Sequence, residues 1–215
     1  MARYLTSTII ATDDQRVYDA ARSFGAPVRM TRADHPSGTD RVAEVAATES
    51  ASIVVNIQGD EPLIDPDAID AAILPLIHDE EIQMATLKKR IEDPREVTDP
   101  NVVKVVTNLA GDALYFSRCP MPFFRDPAEQ GMHFKHIGLY VYRREFLLSY
   151  SSLPVGPLER SERLEQLRAL ENGHPIRVVE TEYESLGVDT PDDLVRVAGM
   201  FAAGAAKVAE EAPRG

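Results

Sequence analysis

The chain has 215 residues, 44% of them hydrophobic and 27% charged, enough for one sizeable core in a single domain. A net charge of −12 argues against a nucleic-acid surface, because nothing resembling a basic stripe offsets the acidic background; an anionic ligand must find its cations locally. One cysteine, Cys119, cannot close an internal disulfide, which fits a reducing compartment. No apolar run reaches membrane-spanning length and no signal-peptide pattern opens the chain, so the expected setting is cytoplasmic, without membrane insertion. The histidines show no zinc-site spacing.

In chain order, Ser7 to Thr12 reads as a short strand, and Asp13-Asp14 offers a cap to a helix that runs to about Phe24 and stops at Gly25. Ala26 to Met30 is a second extended segment. The polar, turn-rich run Thr31 to Arg41 follows and can build no core; a loop of that kind is a binding loop or solvated surface. Thr39 or Asp40 is placed to cap a helix carrying Val42, Ala43, Val45 and Ala46. Ser52 to Ile57 then reads as a buried central strand that stops at Gln58-Gly59-Asp60-Glu61-Pro62. The carboxylates stand at its carboxyl end, where open α/β sheets bind ligands, so Asp60 suits a metal or phosphate site; a plain acidic turn before the next helix is the competing reading.

Asp65 caps a helix of roughly Pro66 to Ile77, and Gln83 to Leu87 continues the strand-helix alternation of a mostly parallel sheet covered on both faces. The pattern then changes. Asn101 to Thr107 and Ala113 to Arg118 flank the turn Asn108 to Asp112 as an antiparallel pair. A strand at His136 to Tyr142, a helix from about Glu159 to Glu171, a strand at Ile176 to Val179 and a final helix entered through Thr190-Pro191 complete the domain. A tail from Ala202 lacks end signals and is expected to fray, over residues 203–215.

Taken together, SIVVNIQGDEPLI, TRADHPSGTDR, NVVKVV with its GDALYFSR partner, HIGLYVYR, PLERSERLEQLR and GVDTPDDL, in this order and across nearly the whole chain, resemble the 3-deoxy-manno-octulosonate cytidylyltransferases. The resemblance implies a Rossmann-like α/β nucleotidyltransferase fold with a mixed, mostly parallel sheet and a small antiparallel sub-sheet. It implies transfer of CMP from CTP to 3-deoxy-manno-octulosonate (Kdo) with Mg²⁺, in a cytoplasmic homodimer that serves lipopolysaccharide assembly. Two alternatives stand beside it: a non-catalytic nucleotide- or sugar-binding remnant, and a cytidylyltransferase for another sugar acid.

Residue by residue, the resemblance places Mg²⁺ on Asp60 and Asp189, for which the competing reading of Asp189 is helix capping with Thr190 and Pro191. Mg²⁺ suits the chemistry, since it polarises phosphate oxygens and takes only one or two protein carboxylates. The resemblance puts the nucleotide at Arg32, Ser37, Gly38, Arg41 and Gln58, with Arg41 as a plain surface charge the alternative. It puts Kdo at Arg118, His136, Glu159, Glu162 and Gln166, although Glu162, Glu165 and Gln166 also have ordinary surface spacing on one helix. One departure stands out. Family members open with a strand and a loop like P-A-R-x-x-S-x-R-x-P-G-K that cradles the triphosphate; no such loop occurs here, and the first lysine is Lys88. The expectation is a fold incomplete at its N-terminal side, with exposed strand edges and impaired transfer.

Overall fold

The structure, a computed structural model, describes residues 2–126, 131–188 and 190–211, with side chains to residue 202. The chain opens with β1 (Ile10–Thr12), α1 (Gln15–Ser23) and β2 (Val28–Met30). Asp14 caps α1 by accepting from Arg16 N, and Gly25, at φ 79°, turns the chain out of the helix. β1 and β2 pair in parallel as a separate two-stranded sheet. α2 (Gly38–Ala46) begins earlier than expected, because the extended Ser37 and not Thr39 or Asp40 is its cap; Ser37 Oγ accepts from Asp40 N.

The organising strand is β3 (Ile53–Asn56), followed by α3 (Pro66–His78), capped by Asp65 as expected, and β4 (Met84–Arg90). After the short α4 (Pro94–Thr98), β5 (Lys104–Thr107) and β6 (Ala113–Ser117) form the expected antiparallel pair around Asn108 to Asp112, with Gly111 at φ 88°. β7 (Phe134–Arg143) leads into α5 (Arg144–Tyr150). Where one helix was expected over Glu159 to Glu171, there are two, α6 (Pro157–Glu162) and α7 (Leu167–Glu171). Arg163 breaks the run with φ 55°, a left-handed conformation that turns Leu164 and Gln166 inward. β8 (Arg177–Glu180) and α8 (Pro191–Glu211) close the fold. α8 continues helically past Ala202; residues 212–215 lie outside the described residues, and so does the fraying expected of them.

The larger sheet has the order β6-β5-β7-β4-β8, with β3 also on β7. It is mixed, and its pairing is more antiparallel than strand-helix alternation suggests. β7 runs against β3, β4 and β5, and β4 with β8 is the parallel pair. Alternate side chains of β7 serve two cores. Ile137, Leu139 and Val141 pack with α3, Ala85 and Leu87 on one face. Tyr142 on the other face packs with Phe116, Phe146, Leu147, Tyr150, Leu164 and Leu167.

Between β1 and β3 the main chain is open. Ile10 N and Thr12 O bond toward β2, so Ala11 faces the other way. Arg144 N donates to Ser52 O, and the register pairs Val54 with Tyr142 and Asn56 with Tyr140. By antiparallel alternation Ser52, Val54 and Asn56 bond toward β7, whereas Ile53, Val55 and Ile57 turn their N–H and C=O outward. α2 packs on both β1 and β3 and spans the break. Ile53, Val54 and Val55 are accordingly only half-buried, though their composition is that of a central strand.

This alternation is testable by amide hydrogen exchange. Val54 and Asn56 should be protected and Val55 should exchange orders of magnitude faster, near the rate of an unpaired edge. Equal protection of all three amides would mean that a partner covers the outer edge of β3.

Candidate functional site

On one side of the site, the polar run Thr31 to Arg41 folds back onto the start of α2. Its conformation is set by three internal ties. Arg41 donates through Nη1 to Thr31 Oγ1 (2.5 Å) and Arg32 O (3.4 Å), and through Nη2 to Asp13 Oδ2 (3.0 Å). The His35 ring is hydrogen-bonded to Glu44, whose carboxyl is held below its usual range chiefly by that bond. Ser37 caps α2. Arg41 is therefore a brace that joins the ends of β1 and β2 to the loop, rather than a surface charge. Arg32, by contrast, is 68% exposed and touches Asp34 and Glu44 only loosely, at 3.5 and 3.7 Å. Beside Gly38 the space is open, since a Cβ there would meet no atom within 4 Å.

Gln58 and Asp60 lie exposed beyond the end of β3. Val188 N donates to Asp60 O at 2.9 Å, which fixes the segment before Asp189 against the Asp60 turn. Asp189 itself lies outside the described residues. The next residue, Glu61, is engaged by Ser185 Oγ (2.5 Å) and Tyr183 Oη (3.1 Å), which anchors the turn and leaves Asp60 facing solvent. An exposed, hard carboxylate oxygen at a strand end fits Mg²⁺, which keeps several non-protein ligands.

The other side is built on β6, β7 and the α6–α7 turn. Two of its expected ligands have internal partners instead. Glu159 is buried and accepts a bidentate bond from Arg168 (2.9 and 2.6 Å), an ion pair whose disruption from one side costs about 3–5 kcal/mol. Glu162 accepts from Ser117 Oγ (2.6 Å) and Arg118 N (2.9 Å), so its carboxylate ties α6 to β6. The resemblance placed both at the sugar; in the structure both carboxylates are held by the protein's own donors. Arg118 is partly engaged, Nε on Glu162 O (2.8 Å) and Nη1 on Pro100 O (2.8 Å).

His136 and Gln166 keep unused groups. The Thr86 hydroxyl lies 2.8 Å from His136 Nε2, 2.8 Å from Leu139 O and 3.2 Å from Ile137 O. It has one proton, and carbonyls can only accept, so the proton goes to a carbonyl and Nε2 must be the donor to Thr86. Burial beside Phe116 and Tyr140 pushes the His136 pKa down to about 3, so the ring is neutral and Nδ1, without a partner among the described residues, is an acceptor. Gln166 is buried with Nε2 lacking a partner among the described residues, a donor that awaits an acceptor.

The two sides meet at Ser37, whose Oγ is 3.0 Å from Glu165 Oε1. Sequence reasoning treated Glu165 as one of several carboxylates with surface spacing, and it missed Thr86 and Tyr140. Tyr140 lies between His136 and Tyr142 in a row of rings. The period-2 pattern of HIGLYVYR does put His136, Tyr140 and Tyr142 on one face, which was the available signal.

An α/β sheet with a polar loop at one strand end and a carboxylate at the next has the form of a nucleotidyltransferase, and the comparisons agree. The cytidylyltransferase family model matches residues 2–180. The chain is 77% identical over 203 residues to 3-deoxy-manno-octulosonate cytidylyltransferase of Solibacter usitatus, covering 94% of this chain and 81% of the relative. It is 57% identical to the enzyme of the same name from Pelobacter propionicus, over 94% of this chain and 83% of that one. The chain thus belongs to the 3-deoxy-manno-octulosonate cytidylyltransferase family. Among solved structures, CMP:2-keto-3-deoxy-manno-octonic acid synthetase complexed with CTP superposes with a TM-score of 0.89 at 42% identity, over 95% of this chain and 84% of that one. A 4-diphosphocytidyl-2C-methyl-D-erythritol synthase from Anaerococcus prevotii, at TM-score 0.56 and 10% identity over 92% of this chain and 82% of that one, shares the fold.

The His136 assignment can be checked by nitrogen-detected NMR of the imidazole. Between about pH 8 and pH 5 the ring should keep the shifts of one neutral tautomer with the proton on Nε2. A midpoint near the ordinary histidine value, about 6.5, would contradict it.

Proposed function

We propose that this chain transfers CMP from CTP to Kdo, giving CMP-Kdo and pyrophosphate for lipopolysaccharide assembly, in the cytoplasm and as a homodimer. The observation that carries the reading is the likeness, at 42% identity, to a synthetase held with CTP, joined to a site in which Ser37 of the polar loop touches Glu165 of the α6–α7 turn. Transfer between two substrates needs their sites to adjoin, and the Ser37–Glu165 contact supports that arrangement.

In this reading the cytidine lies at the start of α2, where Gly38 leaves room for close approach of a base to the main chain. Arg41 holds the loop in shape, Arg32 is an exposed cation of the same loop, and Gln58 presents a polar group from the next strand end. The sugar acid lies along β7. His136 Nδ1 accepts from a sugar hydroxyl, Gln166 Nε2 donates to an oxygen of the sugar, and Nη2 of Arg118, without a partner among the described residues, suits the carboxylate. Glu159 and Glu162 contribute by holding this wall in place. Asp60, with Asp189, would hold Mg²⁺, which when bound neutralises phosphate oxygens and favours ionisation of the attacking hydroxyl. The competing reading, a cytidylyltransferase for another sugar acid, differs in this wall alone.

Two measurements test the proposal. With Kdo, turnover should be much faster with CTP than with UTP, and Arg41→Ala should raise KM for CTP because the loop loses its brace; equal use of both nucleotides would remove the base-site reading. The second concerns the open edges of β1 and β3. Pyrophosphate release should rise by about 10²–10³ or more when the chain is extended by a strand ending in a glycine loop with arginine and lysine, since preorganised donors of that kind stabilise the departing charge. Equal rates from both lengths would show that such a loop is dispensable.

A further inference from the structure

The contact between the two halves of the site contains more acceptors than protons. Ser37 Oγ lies 2.6 Å from Asp40 Oδ2 and 3.0 Å from Glu165 Oε1, and it also accepts from Asp40 N at 3.2 Å. A hydroxyl has one proton to donate. If both carboxyls were ionised, one would stand at hydrogen-bond distance from an oxygen with no hydrogen between them, in a largely buried setting. The contact is satisfied in full when one of the two brings its own proton.

Position decides between them. Asp40 is in the first turn of α2, where the helix dipole favours negative charge, and it is at the shorter distance from the Ser37 hydroxyl. Glu165 is faced by Ser37, the cap of α2, by Thr39 and Asp40 of α2, by Tyr140 and Tyr142 of β7 and Tyr150 of α5, and by Arg168 of α7, the single cation in this set, which is already bidentate on Glu159. Burial raises the Glu165 carboxyl above its usual range. The main chain of the same residue is pinned as well, by Tyr150 Oη donating to Glu165 O at 2.7 Å, and Gln166 with its unpartnered Nε2 comes next.

We infer that Glu165 carries a proton at neutral pH and donates it to Ser37 Oγ, making it a positioning residue that latches the Gln166 wall to the cap of α2. Loss of that proton sets two carboxylates against one hydroxyl and loosens the loop from the wall. The location of the proton is independent of the enzyme's reaction; its consequence for CTP rests on the function proposed above.

The test is the infrared spectrum at pH 7, without substrate, of wild type, Glu165→Gln and Asp40→Asn. A protonated-carboxyl band should appear in wild type and vanish in Glu165→Gln, whose amide can still donate to Ser37 Oγ. A wild-type spectrum without the band overturns the inference. So does a band that survives in Glu165→Gln and vanishes in Asp40→Asn, which would put the proton on Asp40. Thermal melting supplies a second readout. A carboxyl that titrates higher in the fold than in the unfolded chain stabilises the fold on the acid side and loses that contribution as pH rises. Wild type should therefore lose melting temperature relative to Glu165→Gln as pH is raised from the ordinary carboxylate range to beyond neutrality; parallel curves overturn it. In turnover, KM for CTP should climb severalfold with alkaline pH in wild type and stay flat in Glu165→Gln, with kcat moving less. Failure of both proteins to use CTP while the band behaves as expected would count against the function and leave the proton where it is.

Discussion

Everything in this molecule depends on β7. It is the strand that β3, β4 and β5 share, and because its side chains alternate it supplies both cores and the wall that carries His136 and Tyr140. A shift of one residue in its register would exchange Ile137, Leu139 and Val141 with His136, Tyr140 and Tyr142, placing rings and hydroxyls under α3 and aliphatic groups in the site. The irregularity between Thr86 and Leu87 of β4 belongs to the same constraint. It brings the Thr86 hydroxyl to two carbonyls of β7 and to the His136 ring, and so fixes which nitrogen of that ring remains available.

A protein of net charge −12 that handles a nucleoside triphosphate and a sugar acid has an electrostatic problem, and the structure meets it locally. Many of its acids are neutralised by nearby groups. Glu159 has Arg168, Glu184 has Lys89 and Lys135, and Asp112 has Arg177. Lys135 bridges Glu96 and Glu184, and these hydrogen bonds keep its titration above the ordinary value despite burial. Lys104, fully buried, donates from its ammonium to the carbonyls of Asp99 and Val102, and burial lowers its pKa. The cations that stay open toward the site, Arg32 and part of Arg118, are few. Anion binding therefore depends on where donors are held, more than on how many there are.

Buried polar ties set those positions. Arg41, Glu162 and the Glu159–Arg168 pair each connect segments distant in sequence, and none is free to bind substrate with its whole charged group. Glu171 plays a similar part, accepting from Leu158 N and Glu159 N at the start of α6, where the unsatisfied N–H groups of a helix favour an anion. In a site made of short helices and turns, such ties do what longer elements do elsewhere. They hold the wall to within a hydrogen bond's tolerance.

The sequence by itself determined what local chemistry can determine. Capping at Asp14 and Asp65, the glycine stops, the Asn108 to Asp112 turn and the apolar runs of β3, β5 and β7 follow from dihedral preferences and periodicity, which need no distant partner. Ordered motifs likewise sufficed for the family. Only the tertiary structure decided the rest. Helical spacing cannot show that Arg163 turns left-handed, that Glu159 pairs with Arg168 or that Glu162 accepts from Ser117, since those partners lie on other elements. Nor can it show that Ser37 and Glu165, 128 positions apart, share a hydrogen bond, or that Thr86 leaves His136 an acceptor. A side chain's charge and type are written in the sequence; whether that group is free to act depends on which neighbours the fold brings within about 3 Å of it.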